Sequence, residues 1–195
     1  MMLPIDYSTE ETAIRILAAS FETNPGVRAF VKEDHRIKSR IFHLCTFCVR
    51  VARKKQGAFI TSNRKGVALM FNSEHKLAKM DALRLYAFLG QYSVGWLRAI
   101  PMLKRERILK SYRSKAPAFY FWMLAVEDQS FGLETIIEIK EFVFQRSRAY
   151  QLDIIAETIS KRTLAMYLRY GFEVYHEYQD SKGLIIYFIR RPWNR

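Results

Sequence analysis

The side chains of this chain that are best suited to chemistry fall within residues 119–172. Glu127 and Glu157 each follow an apolar run, and a carboxylate at the end of a buried strand can take up a proton from a substrate. The segment Gln129-Ser130-Phe131-Gly132 leads into a helical pattern. Glycine there lets the main chain approach a phosphate, and the first amides of a helix donate hydrogen bonds to it. Tyr167 lies in the next helical pattern and adds a phenol.

Strands and helices alternate along the chain and would bring these residues together. Apolar residues spaced three and four apart predict helices, and short apolar runs between turn residues predict strands. Ser8 and Glu11 predict a capping box at the first helix. The predicted elements are helices at 8–23, 37–55, 133–148 and 160–170, a basic helical segment at 73–115 with interruptions at Gly90, Gly95 and Pro101, and strands at 58–61, 66–71, 119–126, 152–156, 172–178 and 183–190.

This order of elements indicates α/β or α+β packing. No repeat, low-complexity tract or linker divides the chain. We therefore expect a single domain, residues 1–195, with a helical insertion at about 73–115.

Composition limits the class of protein. Of 195 residues, 50% are apolar, which is enough for a sizeable core and excludes global disorder. The formal net charge of +13 favours polyanionic partners: nucleic acid, an acidic membrane or a phosphorylated cofactor. A basic surface with no specific polyanion partner is the alternative.

The chain gives no sign of export or membrane insertion. Its first residues lack the basic and apolar pattern of a secretion signal. The longest apolar region, 82–103, is interrupted by Arg84, Gln91 and Arg98 and fits a buried helix better than a membrane span. We therefore expect a cytoplasmic protein.

Two cysteines, Cys45 and Cys48, have the Cys-x-x-Cys spacing of some metal sites. They lie in the middle of a predicted helix with no second ligand pair, so we expect two buried thiols and not a zinc site. The four histidines are scattered, and we expect no metal. Two cysteines also provide no disulfide framework.

Two motifs resemble those of the GNAT superfamily, the acetyl-CoA-dependent N-acetyltransferases. The first is Leu124-Ala125-Val126 at the end of an apolar strand, and the second is Tyr167 followed by Gly171-Phe172. The order of elements resembles that family over nearly the whole chain. The resemblance implies an α/β (α+β) fold with a mixed, mostly antiparallel central sheet, helices on both faces and a splayed parallel strand pair.

The resemblance also implies an activity and its residues. The chain would transfer an acyl group from acetyl-CoA to an amine acceptor by direct attack on the thioester, with Tyr167 as the acid that protonates the leaving thiolate and the amide of Val126 polarising the carbonyl. Glu157 and Glu127 are candidates for the base, with a solvated surface role as the alternative for each. The residues implied for cofactor binding are Leu124, Ala125, Val126, Gln129, Gly132, Leu133, Glu134, Thr135, Ser160, Thr163 and Tyr167.

One part of the pattern departs from the family. Gln129 and Gly132 match the pyrophosphate-binding loop, but Glu134 stands where a small residue belongs. A carboxylate in the first helical turn is favoured by the helix dipole and competes with a phosphate for that place. At about 6 Å and an effective dielectric of about 20, the repulsion would be about 3 kcal/mol per unit charge. A side chain turned into solvent, or nearby cations, would reduce it.

Two other readings stay open. The degenerate loop favours a non-catalytic GNAT-like binding module. Basic runs such as 53–55 and 113–115 favour a binder of nucleic acid, but most aromatic residues fall on predicted buried stripes, so nucleic acid is the weaker reading. The acceptor is not predicted, and the oligomeric state is open, with a homodimer among the options.

Overall fold

The computed structural model describes residues 1–28, 31–32, 34–127, 132–180 and 183–195. In sequence order its elements are β1 (Met2–Pro4), α1 (Glu10–Phe21), α2 (Pro25–Arg28), α3 (Ile37–Lys54), β2 (Ala58–Thr61), β3 (Gly66–Asn72), α4 (Lys79–Leu89), a π-helical turn (Gly90–Val94), α5 (Trp96–Tyr112), β4 (Ala118–Val126), α6 (Gly132–Tyr150), β5 (Asp153–Thr158), α7 (Lys161–Arg169), β6 (Glu173–Gln179) and β7 (Ile185–Arg191).

The strands form one seven-stranded sheet in the order β1-β2-β3-β4-β5-β7-β6. Every neighbouring pair is antiparallel except β4 and β5, which run parallel. This confirms the predicted mixed, mostly antiparallel sheet. The sheet is continuous from β1 to β6. The single domain with a helical insertion stays a prediction.

Helices cover both faces of the sheet, and the alternation of strand residues supplies two cores. On one face, α1 and α3 pack against residues such as Tyr120 and Ile155. On the other face, α6 and α7 pack against residues such as Phe119 and Ile154. Helix α5 lies on the same face as α1 and α3, where its Leu109 contacts Ile186 and Phe188 of β7. We call this side of the sheet the α5 face and the opposite side the α6 face.

Segment 73–115 forms α4, the π-helical turn and α5, and it is tied to α3. Arg40 of α3 donates from Nη1 to the carbonyl of Ser93 at 3.2 Å, and Ser93 Oγ donates to the carbonyl of Arg40 at 3.0 Å. Arg40 also pairs with Asp34 at 2.9 Å. In the part of the chain described above, no helix is both long and apolar enough to cross a bilayer.

Two local expectations about the helices differ from the structure. The capping box at Ser8 is wrong: Thr9 is the N-cap of α1, and the Asp6 carboxylate accepts hydrogen bonds from the amides and hydroxyls of Ser8 and Thr9. These hydrogen bonds lower the pKa of Asp6 to about 2, and the bond from the Ser8 hydroxyl has the largest effect. Pro101 does not interrupt the helix but lies inside α5, where it removes one backbone donor.

The two cysteines are buried free thiols on α3, as predicted. Burial raises the pKa of Cys45 to about 12, so the thiol stays neutral. Neutral thiols in an apolar core are poor nucleophiles and poor metal ligands.

Candidate functional site

The parallel strands β4 and β5 pair over a short length and then separate. Their register joins Ala118–Tyr120 to residues 153–155. Beyond that point β4 continues to Val126 along β3, and β5 continues to Thr158 along β7. The carboxyl-terminal halves of the two strands therefore enclose a gap, which is the predicted splay.

The backbone of Val126 faces this gap. The amide of Glu127 donates to the carbonyl of Lys65 at 2.8 Å, on the β3 side. Because successive residues of a strand direct their polar groups to opposite sides, the amide and carbonyl of Val126 point the other way. The Val126 carbonyl there accepts a hydrogen bond from Ser20 Oγ of α1 at 3.3 Å. A β-bulge between residues 121 and 123 of β4 precedes this segment and bends the strand.

The first turn of α6 stands at the carboxyl end of β4. Gly132 is its first residue, and the side chains of Leu133 and Glu134 are exposed. Thr135 is buried: its Oγ1 accepts from Asn63 Nδ2 at 3.3 Å, and a Cβ placed at Gly66 would lie 2.4 Å from its Cγ2. The side chain of Thr135 therefore fixes α6 against the β2–β3 hairpin.

The first turn of α7 stands at the carboxyl end of β5. Ser160 is the N-cap, and its Oγ accepts from the amide of Thr163 at 3.2 Å. This is the capping role that a serine in this place predicts. The first turns of α6 and α7 thus flank the two sides of the gap.

Tyr167 owes part of its position to the way α7 ends. Gly171 has φ of +82°, and its amide donates to the Leu168 carbonyl at 3.0 Å, while the Phe172 amide donates to the Tyr167 carbonyl at 3.1 Å. These two bonds form a Schellman motif, whose usual apolar contact joins the rings of Tyr167 and Phe172 at 4.8 Å. The Tyr-x-x-x-Gly-Phe spacing is therefore explained by the Schellman motif that ends α7. The contact with Phe172 also fixes the position of the Tyr167 ring.

An apolar cavity of about 30 Å³ lies on the α6 face beside β4. Phe121 and Leu124 of β4, Ile136 of α6, and Met166 and Tyr167 of α7 are among its lining residues. Burial raises the pKa of Tyr167 to about 12. The phenol therefore keeps its proton at neutral pH and can act as a donor.

On the α5 face, the gap is bordered by an ionic cluster. Arg113, which follows α5, donates from Nε and Nη2 to the two carboxylate oxygens of Glu157 and from Nη1 to Glu106 at 2.7 Å. Its guanidinium lies 4.4 Å from the ring centre of Tyr120. The side chains of Arg113 and Glu157 are only 15% and 14% exposed, so a solvated surface role for Glu157 is wrong.

The structure describes Glu127, the second candidate base, but not the loop that follows it. Glu127 is exposed at the end of β4. Gln129 and the neighbouring loop residues 128–131 lie outside the described residues. The roles of Glu127, Glu157 and Gln129 stay predictions.

The sequence did not indicate Arg113 or Tyr120 as site residues. Arg113 was grouped with a basic run, and Tyr120 with a buried strand. The one available signal was that Arg113 immediately follows a helix and precedes the central strand, which brings it near the end of β5. Its partner could not be inferred, because that contact spans 44 residues.

Comparisons with known proteins bear on this arrangement. A scan of protein-family models gives no match, and a sequence search of curated proteins finds no similar protein. Solved structures do resemble it. An acetyltransferase from Corynebacterium glutamicum, described as histone acetyltransferase HPA2 and related acetyltransferase, has a TM-score of 0.69 and 15% identity, covering 98% of this chain and 95% of its own. The chain has the GNAT fold.

Two further GNAT-fold structures widen the comparison. The C-terminal condensation domain of Ebony, in complex with beta-alanyl-dopamine, has a TM-score of 0.67 and 14% identity over 98% of both chains. Arylalkylamine N-acetyltransferase 2 from Aedes aegypti has a TM-score of 0.64 and 13% identity, covering 100% of this chain and 99% of its own. These similar structures are named for different activities, so the fold alone does not identify the reaction of this chain.

Proposed function

We propose that the protein is an acyl-CoA-dependent N-acyltransferase that transfers an acetyl group from acetyl-CoA to an amine acceptor. The observation that carries this proposal is the gap between β4 and β5, where the described ends of the two parallel strands do not pair with each other, although Ser20 Oγ bonds the Val126 carbonyl. An unpaired strand edge binds an extended chain with amide groups in the manner of an added strand. The pantetheine arm of acetyl-CoA is such a chain.

The residues around the gap fit this cofactor. Leu124, Ala125 and Val126 would supply the strand edge. The first amides of α6, at Gly132, Leu133, Glu134 and Thr135, would donate to the pyrophosphate, with Ser160 and Thr163 beside it. Gln129, which lies outside the described residues, stays a predicted contact. The exposed side chain of Glu134 weakens the main objection, because a carboxylate in solvent is screened.

The chemistry would be divided between the two strand ends. Acetyl-CoA supplies an activated acyl group. The Val126 amide, which faces the gap, would stabilise negative charge on the reacting carbonyl oxygen. Tyr167, protonated at neutral pH, would protonate the departing thiolate.

The base is assigned by a different argument. Both carboxylate oxygens of Glu157 accept hydrogen bonds from Arg113, which leaves this side chain poorly placed to take a proton from the amine. Glu127 is exposed. We therefore propose that the amine loses its proton to Glu127 or to water, and that Glu157 positions Arg113.

A non-catalytic module that binds CoA, or an unrelated ligand, is the second candidate. Glu134 on the first turn of α6 favours a module whose ligand is not CoA, because this carboxylate opposes the charge of the CoA phosphates. The two candidates differ in turnover: both permit binding at the gap, and only the first transfers an acetyl group.

Proline substitution tests the gap directly. Val126→Pro removes an amide that faces the gap, so the fold should persist while acetyl-CoA binding, measured by calorimetry, is lost. Ala125→Pro is the matched control, because its amide faces β3, and it should destabilise the sheet instead.

Turnover is then measured with a panel of primary amines by release of free thiol. The wild-type protein should bind acetyl-CoA and release CoA in the presence of an acceptor. Absence of both heat and a thermal shift at millimolar acetyl-CoA contradicts the proposal. Binding without release for every amine favours the non-catalytic module.

A further inference from the structure

The outward side of α5 combines exposed aliphatic residues with exposed cations. Ile100, Leu103 and Ile108 are 63%, 44% and 43% exposed. Large aliphatic side chains exposed together on one helix are unusual for a surface that faces only water. We call the following set the α5 outer face: Ile100, Leu103, Lys104, Arg107, Ile108 and Lys110.

Helical geometry places this set on one side of α5. At about 100° per residue, the six side chains fall within about 160° of the helix circumference. Leu109 lies on the opposite side, buried against Ile186 and Phe188 of β7. The α5 outer face is therefore the side directed away from the sheet.

Charge is concentrated in the same part of the chain. Segment 73–115 contains ten Lys and Arg residues against three Asp and Glu residues, which is more than half of the net charge of +13. The one acidic residue of α5, Glu106, is paired with Arg113 at 2.7 Å. Among the described residues, Lys104, Arg107 and Lys110 have no carboxylate within ion-pair distance.

We propose that the α5 outer face binds the surface of an anionic lipid bilayer. Its cations match the negative headgroups, and its aliphatic side chains leave water only if the partner offers an apolar layer beneath that charge. A second copy of the chain fits poorly, because two faces of the same strong positive charge would repel each other. Nucleic acid would use the cations but would leave Ile100 and Leu103 without an apolar partner.

The helix has suitable dimensions for such binding. Its 17 residues extend for about 25 Å, and it would lie in the plane of the headgroups with the outer face downward. Reversible binding of a helix to the surface of a bilayer depends on both surface charge and buried apolar area. Substitutions of either group of side chains should therefore weaken it.

A fluorescent label on the outer face reports insertion. Both native cysteines are buried, so Ser111→Cys, at an exposed site on the same side of α5, can be labelled selectively with nitrobenzoxadiazole. Vesicles of phosphatidylcholine containing phosphatidylserine should shift its emission to the blue, and vesicles of phosphatidylcholine alone should not. The same label on Ser62→Cys, in the β2–β3 hairpin, should not shift with either.

Sedimentation with vesicles measures affinity. Lys104→Gln/Arg107→Gln/Lys110→Gln should weaken binding to anionic vesicles by roughly a hundredfold, at roughly fivefold per cation. Arg15→Gln/Arg148→Gln/Arg169→Gln removes the same charge from exposed sites elsewhere and should lose much less. Ile100→Ser/Leu103→Ser/Ile108→Ser should lose roughly tenfold or more with the charge unchanged. Circular dichroism confirms that each variant is folded.

Three results would overturn the proposal. The first is equal loss in the two charge variants, which would mean that only net charge matters. The second is unchanged binding in the serine variant. The third is tighter binding to single-stranded RNA than to anionic vesicles at the same ionic strength, with no blue shift at residue 111, which would assign the surface to nucleic acid.

Discussion

The two faces of the β4–β5 gap are built from opposite kinds of side chain. On the α6 face, Tyr167 and its neighbours line an apolar cavity, and burial alone raises the pKa of the phenol. On the α5 face, Arg113 joins two carboxylates and covers the ring of Tyr120. One strand pair therefore separates a neutral, apolar environment from an ionic one. In the proposed reaction, the neutral side would hold the proton donor and the ionic side would border the acceptor.

The largest effect expected from testing this contrast is on the α6 face. Tyr167→Phe keeps the ring against Phe172 but removes the proton donor, so kcat should fall by roughly 10²- to 10⁴-fold while the melting temperature changes little. Steady-state kinetics with acetyl-CoA and a reactive amine measure this. An unchanged kcat would leave Tyr167 with a packing role only.

The pH dependence of stability checks the environment of the same phenol. Its pKa of about 12 in the folded protein lies above the ordinary value of 10, so burial of the neutral phenol stabilises the fold below pH 10. That contribution is lost as the pH rises from 10 through 12. Urea denaturation should therefore show a steeper loss of stability for wild type than for Tyr167→Phe in this range. Parallel curves would show that the phenol is solvated.

The α5 face should respond in stability. Arg113→Met leaves the Glu157 carboxylate largely buried without its partner, which should lower the free energy of unfolding by about 3 kcal/mol. Arg113→Met/Glu157→Gln should recover most of this loss. The matched variant on the α6 face, Lys140→Met, should change stability by less than about 1 kcal/mol, because it breaks no buried ion pair. Similar losses in both single variants would remove the contrast between the faces.

A smaller effect is expected at the start of α7. Ser160→Ala removes the acceptor for the Thr163 amide and should cost about 1 kcal/mol in urea denaturation. Ser160→Asn should restore the cap and the stability. If alanine and asparagine behave alike, the cap contributes nothing measurable.

The smallest effect concerns the exposed carboxylate of α6. Glu134→Gln should tighten acetyl-CoA binding by no more than a few-fold, and the gain should shrink as salt is added. Glu141→Gln, another exposed position on α6, is the control and should leave the affinity unchanged. A gain of a hundredfold would mean that Glu134 faces the ligand after all.

Sequence patterns predicted the frame of the molecule better than its contacts. Strands such as β2 and β4 and helices such as α3 were placed within a residue or two, because apolar periodicity reports burial directly. The short strand β1 was missed, since Met2–Pro4 is too short to show a period. The cap of α1 was assigned to Ser8 because the spacing of hydroxyl and carboxylate fits a capping box. Asp6, two residues earlier, instead accepts hydrogen bonds from the amides and hydroxyls of Ser8 and Thr9.

The candidate site was predictable to a similar extent. Motifs close in sequence, such as Tyr167 with Gly171 and Phe172, have a local cause and could be recognised. The partner of Glu157 could not, because Arg113 arrives from a segment whose path across the sheet depends on long-range packing. The family resemblance predicted the gap, and long-range contacts such as that between Arg113 and Glu157 determine the charge around it.

The contact between Gly66 and Thr135 has a consequence for how this molecule can be altered. The space above residue 66 is filled by three branched side chains: Thr135 at 2.4 Å, Ile139 at 3.0 Å and Thr61 at 3.1 Å from where a methyl carbon would sit. Even the methyl group of alanine at this position would collide with Thr135 and displace the first turn of α6. A substitution at Gly66, in the β2–β3 hairpin, should therefore change the affinity of the gap for the proposed cofactor without contacting it.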